Sequence, residues 1–322
     1  MTPAPAVGII GLGLVGAAIA GRLLKAGYQC VGFDIAPKAC ERFAAAGGKL
    51  ATSARDVGQQ AAHIITAVFD TTDVLNVIEG PNGALEDAGA LDDAGALDDA
   101  GALEDAGALD GTGAHEGGTT KVIIDCSTGD PERLVWLAGR LASRGIGFIE
   151  APLSGSSAQI AAGEATMLLG GDAALIAEHA ALLDAIAPQR RHAGGTGMGA
   201  RAKLATNLVL GLNRAAFAEG LVFAERLGIA PAKFLELVLA SPARSDAAAT
   251  KGPLMVSGEF APQSRIRQHL KDVELMLAAA GRNRQRLPLT ETHATLMRAA
   301  ISAGDGELDN AAIVRQLRRE TR

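Results

Sequence analysis

Aromatic side chains are scarce in this chain of 322 residues: one Trp, one Tyr and eight Phe make up 3 % of it. A folded core must therefore be built from Ala, Leu, Val and Ile, and a hydrophobic content of 48 % excludes a wholly disordered protein. Long apolar runs are also missing. The longest are of strand length and broken by Gly or charge, so no transmembrane helix and no membrane partner are expected. Met1-Thr2-Pro3-Ala4-Pro5 carries no positive charge ahead of the next apolar run, which reads as a first strand and not as a signal peptide. Cysteine is rare. Cys30, Cys40 and Cys126 form no C-x-x-C pair and suit a reducing compartment, so a cytoplasmic location is expected; Cys126 reads as a buried packing residue. His63, His115, His179, His192, His269 and His293 show no ligand spacing with cysteines or acids, so no metal site is expected. No Ser-His-Asp arrangement can be read from the order of residues either.

A strong excess of positive charge is absent as well. The net charge is −6, yet residues 84–110 hold nine acids and no base, which leaves the rest of the chain at +3. That remainder suits anionic ligands but is too weakly basic to argue for nucleic acid. The acids belong to a repeat, Gly-Ala-Leu-(Asp/Glu)-Asp-Ala, starting at Gly83, Gly89, Gly95 and Gly101, with a partial copy from Gly107. A leucine every six residues lines no single helix face, and one leucine against two acids makes a poor β-helix. The stretch 83–118 is expected to be an acidic low-complexity surface insertion.

Around it, the first half alternates strand and helix signals. Val7–Ile10, Cys30–Phe33, Ile64–Val68, Val122–Asp125 and Phe148–Glu150 read as strands; Ala17–Lys25 and a run from Pro131 to about Ser143 read as helices. This β-α-β rhythm predicts an α/β fold with a doubly wound parallel sheet over 1–194. Beyond 195 strand signals fade. Helical segments at roughly 199–227, 231–240, 265–281 and 288–303 predict an all-α C-terminal domain over 195–322.

Four stretches carry chemistry. Gly11-Leu12-Gly13-Leu14-Val15-Gly16 follows a strand, opens a helix and is followed by Asp34 at the end of the next strand, 18 residues after Gly16. In that context the glycines allow a tight turn, close approach of a pyrophosphate and close packing of the helix, whose N-terminus attracts phosphate. Asp34 would accept hydrogen bonds from the ribose hydroxyls of NAD and repel the 2′-phosphate of NADP, although nearby Lys38 could weaken that preference and leave NADP possible. Asp125-Cys126-Ser127-Thr128-Gly129-Asp130-Pro131 runs from a strand end into a helix; Thr128 could touch the nicotinamide half of the cofactor, or a residue of this turn could simply cap the helix. Ser154-Gly155-Ser156-Ser157 offers adjacent N–H groups and hydroxyls suited to a small carboxylate, or is a plain polar loop. Gly195, Gly197 and Gly199 precede Lys203 and Asn207, which lie four apart on one helix face. Most helical lysines are solvated, but one aimed into a glycine-lined cleft can lose solvation and act as a general acid/base.

These residues resemble the β-hydroxyacid dehydrogenase family, whose members include 3-hydroxyisobutyrate dehydrogenase, tartronate semialdehyde reductase and the glyoxylate/succinic semialdehyde reductases. The motifs stand in the family's order, and Lys271-Asp272 on a late helix matches too. The resemblance implies a Rossmann-type dinucleotide domain followed by an all-α domain that helps form a homodimer or homotetramer. It makes Lys203 the catalytic acid/base, and Asn207 the residue that orients substrate and lysine. Ser154, Gly155 and Ser156 become the carboxylate-binding loop, Lys271 the lysine that closes over the cofactor, and Val68, Phe69 and Thr128 cofactor-lining positions. Ser156 stands where the family usually has a second glycine, and Phe69 where it usually has proline. The implied activity is reversible hydride transfer between NAD(P) and a small β-hydroxy acid or its semialdehyde. Two rivals are an imine reductase on the same scaffold, whose members usually carry another residue at the position of Lys203, and a non-catalytic dinucleotide-binding scaffold whose acidic repeat recruits a basic partner.

Overall fold

The computed structural model describes residues 6–86 and 121–320; the acidic repeat from residue 87, with the rest of the expected insertion, lies outside the described residues. The chain divides into two compact units. One comprises Met1–Ser127, Pro131–Gly155 and Gln159–Ala200, the other Thr128–Asp130, Ser156–Ala158 and Arg201–Arg322.

In the first unit the strands are β1 (Val7–Ile10), β2 (Cys30–Phe33), β3 (Lys49–Leu50), β4 (His63–Thr66), β5 (Val122–Asp125), β6 (Gly147–Glu150), β7 (Leu153–Ser154), β8 (Thr166–Gly170) and β9 (Gln189–Gly194). They form one sheet in the order β3-β2-β1-β4-β5-β6-β8-β7, with β9 beside β8. The first six run parallel, and β8 is antiparallel to β6 and β7. Helices α1 (Leu14–Lys25), α2 (Pro37–Ala45), α3 (Ala54–Gln60), α4 (Thr71–Glu79), α5 (Pro131–Ala142), α6 (Ser157–Ala162), α7 (Ala173–Glu178) and α8 (Ala180–Ile186) connect them. The doubly wound parallel sheet expected from the β-α-β rhythm is therefore present.

Its core follows from strand periodicity. Ile9, Ile65, Ile124 and Ile149 are in register across β1, β4, β5 and β6 and join one apolar cluster; the residues just before Ile65, Ile124 and Ile149, Ile64, Ile123 and Phe148, join the other. Alternate residues of a strand face opposite sides, so a run of consecutive isoleucines fills both layers. The strand order reverses between β1 and β4, and in open α/β sheets ligands bind at the carboxyl ends of the strands flanking that point.

One expectation changes here. Residues 83–86, the described start of the first repeat copy, belong to the folded unit and not to a surface insertion. Ala84 and Leu85 are buried, their N–H groups bond to Val77 and Ile78 carbonyls on α4, and a Cβ on Gly58 would meet Ala84 O at 1.9 Å. The leucine of this copy is a core residue.

The second unit has no strand among its described residues. Its helices are α9 (Met198–Arg226), whose first turn belongs to the first unit, then α10 (Pro231–Leu239), α11 (Asp246–Ser257), α12 (Ile266–Arg282), α13 (Pro288–Ser302) and α14 (Ile313–Arg319), with a 3₁₀ turn over Asn310–Ala312. The units part after Ala200, whereas the change of rhythm in the sequence falls at 194/195. The sequence signals also miss α11, which runs through Gly252-Pro253; the Ser245 hydroxyl accepts from Ala248 N to start it, and left-handed Gly258 (φ 77°) ends it. Among the described residues no helix is long and apolar enough to cross a membrane.

Candidate active site

The glycine-rich turn sits at the strand-order reversal, between β1 and α1. Gly11 has φ 92°, and a Cβ there would meet Ala67 O at 2.4 Å and Val68 Cγ1 at 3.1 Å, so the turn fits tightly against the end of β4. A Cβ on Gly16 would fall 1.8 Å from Gly11 O: this glycine accommodates the loop's own carbonyl more than the sheet. Gly13 is different, since a Cβ on it would meet nothing within 4 Å. It is also the N-cap of α1, with no side-chain cap and no acid in the first turn. By contrast α3, α4 and α7 are capped by Ser53, Asp70 and Asp172. Helix α1 thus presents its first amides beside open space, which fits a pyrophosphate. Leu12 is fully buried, and Leu14 and Val15 are half-buried.

Asp34 follows β2 and is half-buried. Its Oδ2 accepts from Leu12 N at 2.6 Å and its Oδ1 from Ala36 N at 2.7 Å. The carboxylate therefore holds the glycine turn, and each oxygen keeps lone-pair capacity for a ribose hydroxyl. Val68 N donates to the Ser127 hydroxyl at 3.1 Å, fixing the turn after β4. Phe69 is 43 % exposed, as an apolar lining residue can be.

In the second unit, Lys203 and Asn207 are both buried on α9. Asn207 Nδ2 donates to Asp272 Oδ2 at 2.9 Å, which orients the amide. Burial pushes the Lys203 ammonium below the ordinary lysine range; Asp272 opposes this and Lys271 adds to it. Lys271 pairs with Asp272 Oδ1 at 2.9 Å and donates to the Thr128 carbonyl at 2.6 Å. Arg282, on the same helix α12, reaches Asp130 at 2.7 Å. Lys203, Asn207, Lys271 and Thr128 are thus brought together around Asp272. The sequence marked Asp272 only as part of a motif; no local signal showed that it holds Asn207 and faces Lys203.

The stretch expected to bind carboxylate divides between the units: Ser154 and Gly155 belong to the first and Ser156 to the second. Gly155 has no room for a side chain, since a Cβ would lie 2.9 Å from Ala165 Cβ. Ser157 is tied down through its N–H and hydroxyl to Gln263 O.

Glu150 is a residue that sequence reasoning missed. It ends β6 fully buried, and its carboxylate accepts from Gly197 N at 3.0 Å and Gly199 N at 2.9 Å. Burial pushes its carboxyl up to about 7, against the pull of these amides. This also revises the reading of Gly199. Instead of leaving space for a ligand, it lets α9 start against β8 and Glu150: a Cβ would meet Gly170 N at 2.8 Å and Glu150 Cβ at 3.0 Å. Cys126 is buried, and burial pushes its thiol up, as a packing residue requires.

Comparison with known proteins agrees with this geometry. Residues 6–98 and 99–195 match the family model described as the NAD binding domain of 6-phosphogluconate dehydrogenase. Residues 197–317 match the model described as the NAD-binding of NADP-dependent 3-hydroxyisobutyrate dehydrogenase. The chain is 28 % identical to L-threonate dehydrogenase of Cupriavidus necator, covering 96 % of this chain and 95 % of the relative. It is 27 % identical to glyoxylate/succinic semialdehyde reductase 1 of Arabidopsis thaliana, covering 96 % of each. A crystal structure of 3-hydroxyisobutyrate dehydrogenase from Salmonella typhimurium superposes with a TM-score of 0.79 at 25 % identity, over 96 % of this chain and 99 % of that one. The turn at Gly11–Gly16, the buried lysine–asparagine pair and these matches together show that the chain belongs to the β-hydroxyacid dehydrogenase family.

Proposed function

We propose that the protein is an NAD(P)-dependent oxidoreductase acting on a small β-hydroxy acid or its semialdehyde, with Lys203 as general acid/base. The observation that carries this reading is the state of Lys203. It is a buried lysine whose charge is disfavoured by burial, one helical turn from an asparagine whose amide is fixed by Asp272. A solvated lysine stays protonated at neutral pH, whereas a buried one can exchange its proton there.

Gly11, Gly13 and Gly16 with the first amides of α1 hold the pyrophosphate, Asp34 the ribose, and Val68, Phe69, Thr128 and Lys271 line the rest. The nicotinamide, when bound, supplies or accepts the hydride. In the reducing direction the Lys203 ammonium gives a proton to the oxygen of the substrate carbonyl. In the oxidising direction the neutral amine takes the proton of the hydroxyl. Asp272 steadies the ammonium form, and Asn207, its Nδ2 held by Asp272, turns its carbonyl oxygen and remaining N–H to the substrate. Ser154, Gly155 and Ser156 bind the carboxylate, so the reacting carbon is placed before chemistry starts. Asp34 favours NAD over NADP. The protein works as a homodimer or homotetramer in the cytoplasm.

The reading is tested by following NADH and NADPH oxidation with glyoxylate, succinic semialdehyde, tartronate semialdehyde and methylmalonate semialdehyde. Turnover that falls about 10²–10⁴-fold in Lys203→Ala, with NADH binding retained, is expected for loss of a general acid. Unchanged turnover in that variant would remove Lys203 from the mechanism.

A further inference from the structure

Arg214 stands on the face of α9 that carries Lys203 and Asn207, eleven and seven residues further along. It is only 4 % exposed, and its Nε and Nη2 are buried without a hydrogen-bond partner. A guanidinium is charged at any physiological pH and is rarely buried unpaired. The two carboxylates that act on it are engaged elsewhere. Asp309 takes Lys251 Nζ at 2.9 Å on both oxygens and the N–H groups of Gln263, Ser264 and Ala311; Asp272 takes Asn207 and Lys271.

Beside Arg214 lie His269 and His293, both buried, with ring centroids 5.4 Å apart. His269 Nε2 and both ring nitrogens of His293 also lack partners. Gly211, between Asn207 and Arg214, makes room for the rings: a Cβ there would meet His269 Nε2 at 2.6 Å and His293 Nε2 at 3.6 Å. Burial and the nearby guanidinium push both imidazoles down, His293 to about 4, so at neutral pH each offers one N–H donor and no charge. The cluster is thus a fixed cation flanked by two neutral donors, all short of an acceptor.

We infer that Arg214, with His269 and His293, receives a second carboxylate of the substrate, so that the preferred substrate is a β-hydroxy acid carrying two carboxylates. This rests on the reading of Lys203 as the acid/base. The guanidinium fork matches a carboxylate in two parallel hydrogen bonds, and the imidazole N–H groups meet its remaining lone pairs. The reach is suitable. Asp272 acts on both Lys203 and Arg214, and His269 feels both cations. Seven residues of helix span about 10.5 Å. Long side chains on a helix lean back toward its N-terminus, which leaves about one turn, roughly 5 Å, between Asn207 and the guanidinium. That distance fits a substrate with a backbone of four or five carbons.

The test uses the full chain with cofactor. Oxidation of 2-(hydroxymethyl)succinate and 2-(hydroxymethyl)glutarate is compared with that of 3-hydroxyisobutyrate, which lacks the second carboxylate, in wild type, Arg214→Met and Arg214→Lys. The wild type is expected to prefer a dicarboxylate. Arg214→Met is expected to lower the dicarboxylate-to-monocarboxylate ratio of kcat/KM at least tenfold, and Arg214→Lys to lower it less. An equal loss on both kinds of substrate, or an unchanged ratio, would overturn the proposal; if Arg214→Met does not fold, the ratio in Arg214→Lys decides. Calorimetry with glutarate separates the source of the carboxylate. Glutarate that binds the wild type, competes with substrate and is lost in Arg214→Met supports a substrate site. Inorganic phosphate binding as well as glutarate without competing would mean a separate anion site and overturn the substrate assignment. Glutarate binding through Arg214 in a protein that oxidises none of the three acids would instead refute the hydroxy-acid reading and leave the anion site standing.

Discussion

The two units differ in what some of their buried polar side chains meet. In the sheet unit, buried polar groups serve the backbone. Glu150 takes two amides of α9, Asp34 takes the amides of Leu12 and Ala36, and Asp125 takes Ser127 N and the Thr66 hydroxyl. In the helical unit Lys203 and Arg214 are buried on one face of α9, and Arg214 Nε and Nη2, His269 Nε2 on α12 and both ring nitrogens of His293 on α13 have no hydrogen-bond partner. A carboxylate spent on peptide N–H groups shapes a frame, whereas a cation left unmatched in the interior asks for a ligand. The unmatched buried cation therefore lies in the second unit, beside Lys203 and Asn207 on α9.

The largest stability effect is expected where the helical unit has matched its charges. Lys251 and Asp309 form a buried ion pair at 2.9 Å, with Asp309 fully inaccessible. Lys251→Met strands that carboxylate and is expected to cost about 3–5 kcal/mol in chemical denaturation, as breaking a buried pair does. Arg214→Met strands no hydrogen-bonded carboxylate and should cost clearly less; equal losses would erase the distinction between matched and unmatched charge.

A second comparison uses two glycines of α9. Gly199→Ala drives a methyl against the Gly170 backbone and the base of Glu150, and is expected to cost about 1–3 kcal/mol as overpacking. Gly211→Ala meets ring atoms of His269 and His293, which can swing aside, and should cost less in the same denaturation series.

Glu150 gives a smaller effect with a definite sign. Its folded carboxyl titrates near 7 against an ordinary 4.5, so its contribution is fully present below pH 4.5 and is lost as pH rises through about 7. Stability measured from pH 4.5 to 8 should lose that part of its decline in Glu150→Gln; an identical slope in the variant would show that Glu150 does not titrate there. Smallest of all, Asp34→Ala should weaken discrimination against NADPH in the ratio of kcat/KM for the two cofactors, and an unaltered ratio would leave Asp34 with its structural role at the Leu12 amide alone.

Much of this was legible in the sequence because it is local. The glycine turn, the strands of consecutive isoleucines and the Lys203/Asn207 spacing each lie within one or two turns of chain. What was not legible depends on distant partners. Asp272 lies 65 residues from the asparagine it holds. Glu150 looked like an ordinary strand end, though its partners lie 47 and 49 residues on. Arg214, His269 and His293 looked like unremarkable helix residues, since nothing in their spacing tells a solvated face from a buried one. Leu85 is deceptive for the opposite reason: its repeat resembles the copies after it in sequence, while its burial is set by α3 and α4.

The most direct test of the central claim is the pH dependence of kcat/KM for hydroxy-acid oxidation. Oxidation needs the neutral amine, so the rate should rise along a limb whose midpoint lies below the ordinary lysine value of 10.5, because burial pushes Lys203 down. Removing the Asp272 charge removes an interaction that favours the ammonium, so Asp272→Asn should move the limb to still lower pH. In Lys203→Ala the residual rate should lack the limb altogether. A limb that persists unchanged in Lys203→Ala would mean that another group carries the proton, and the account of this site would be wrong.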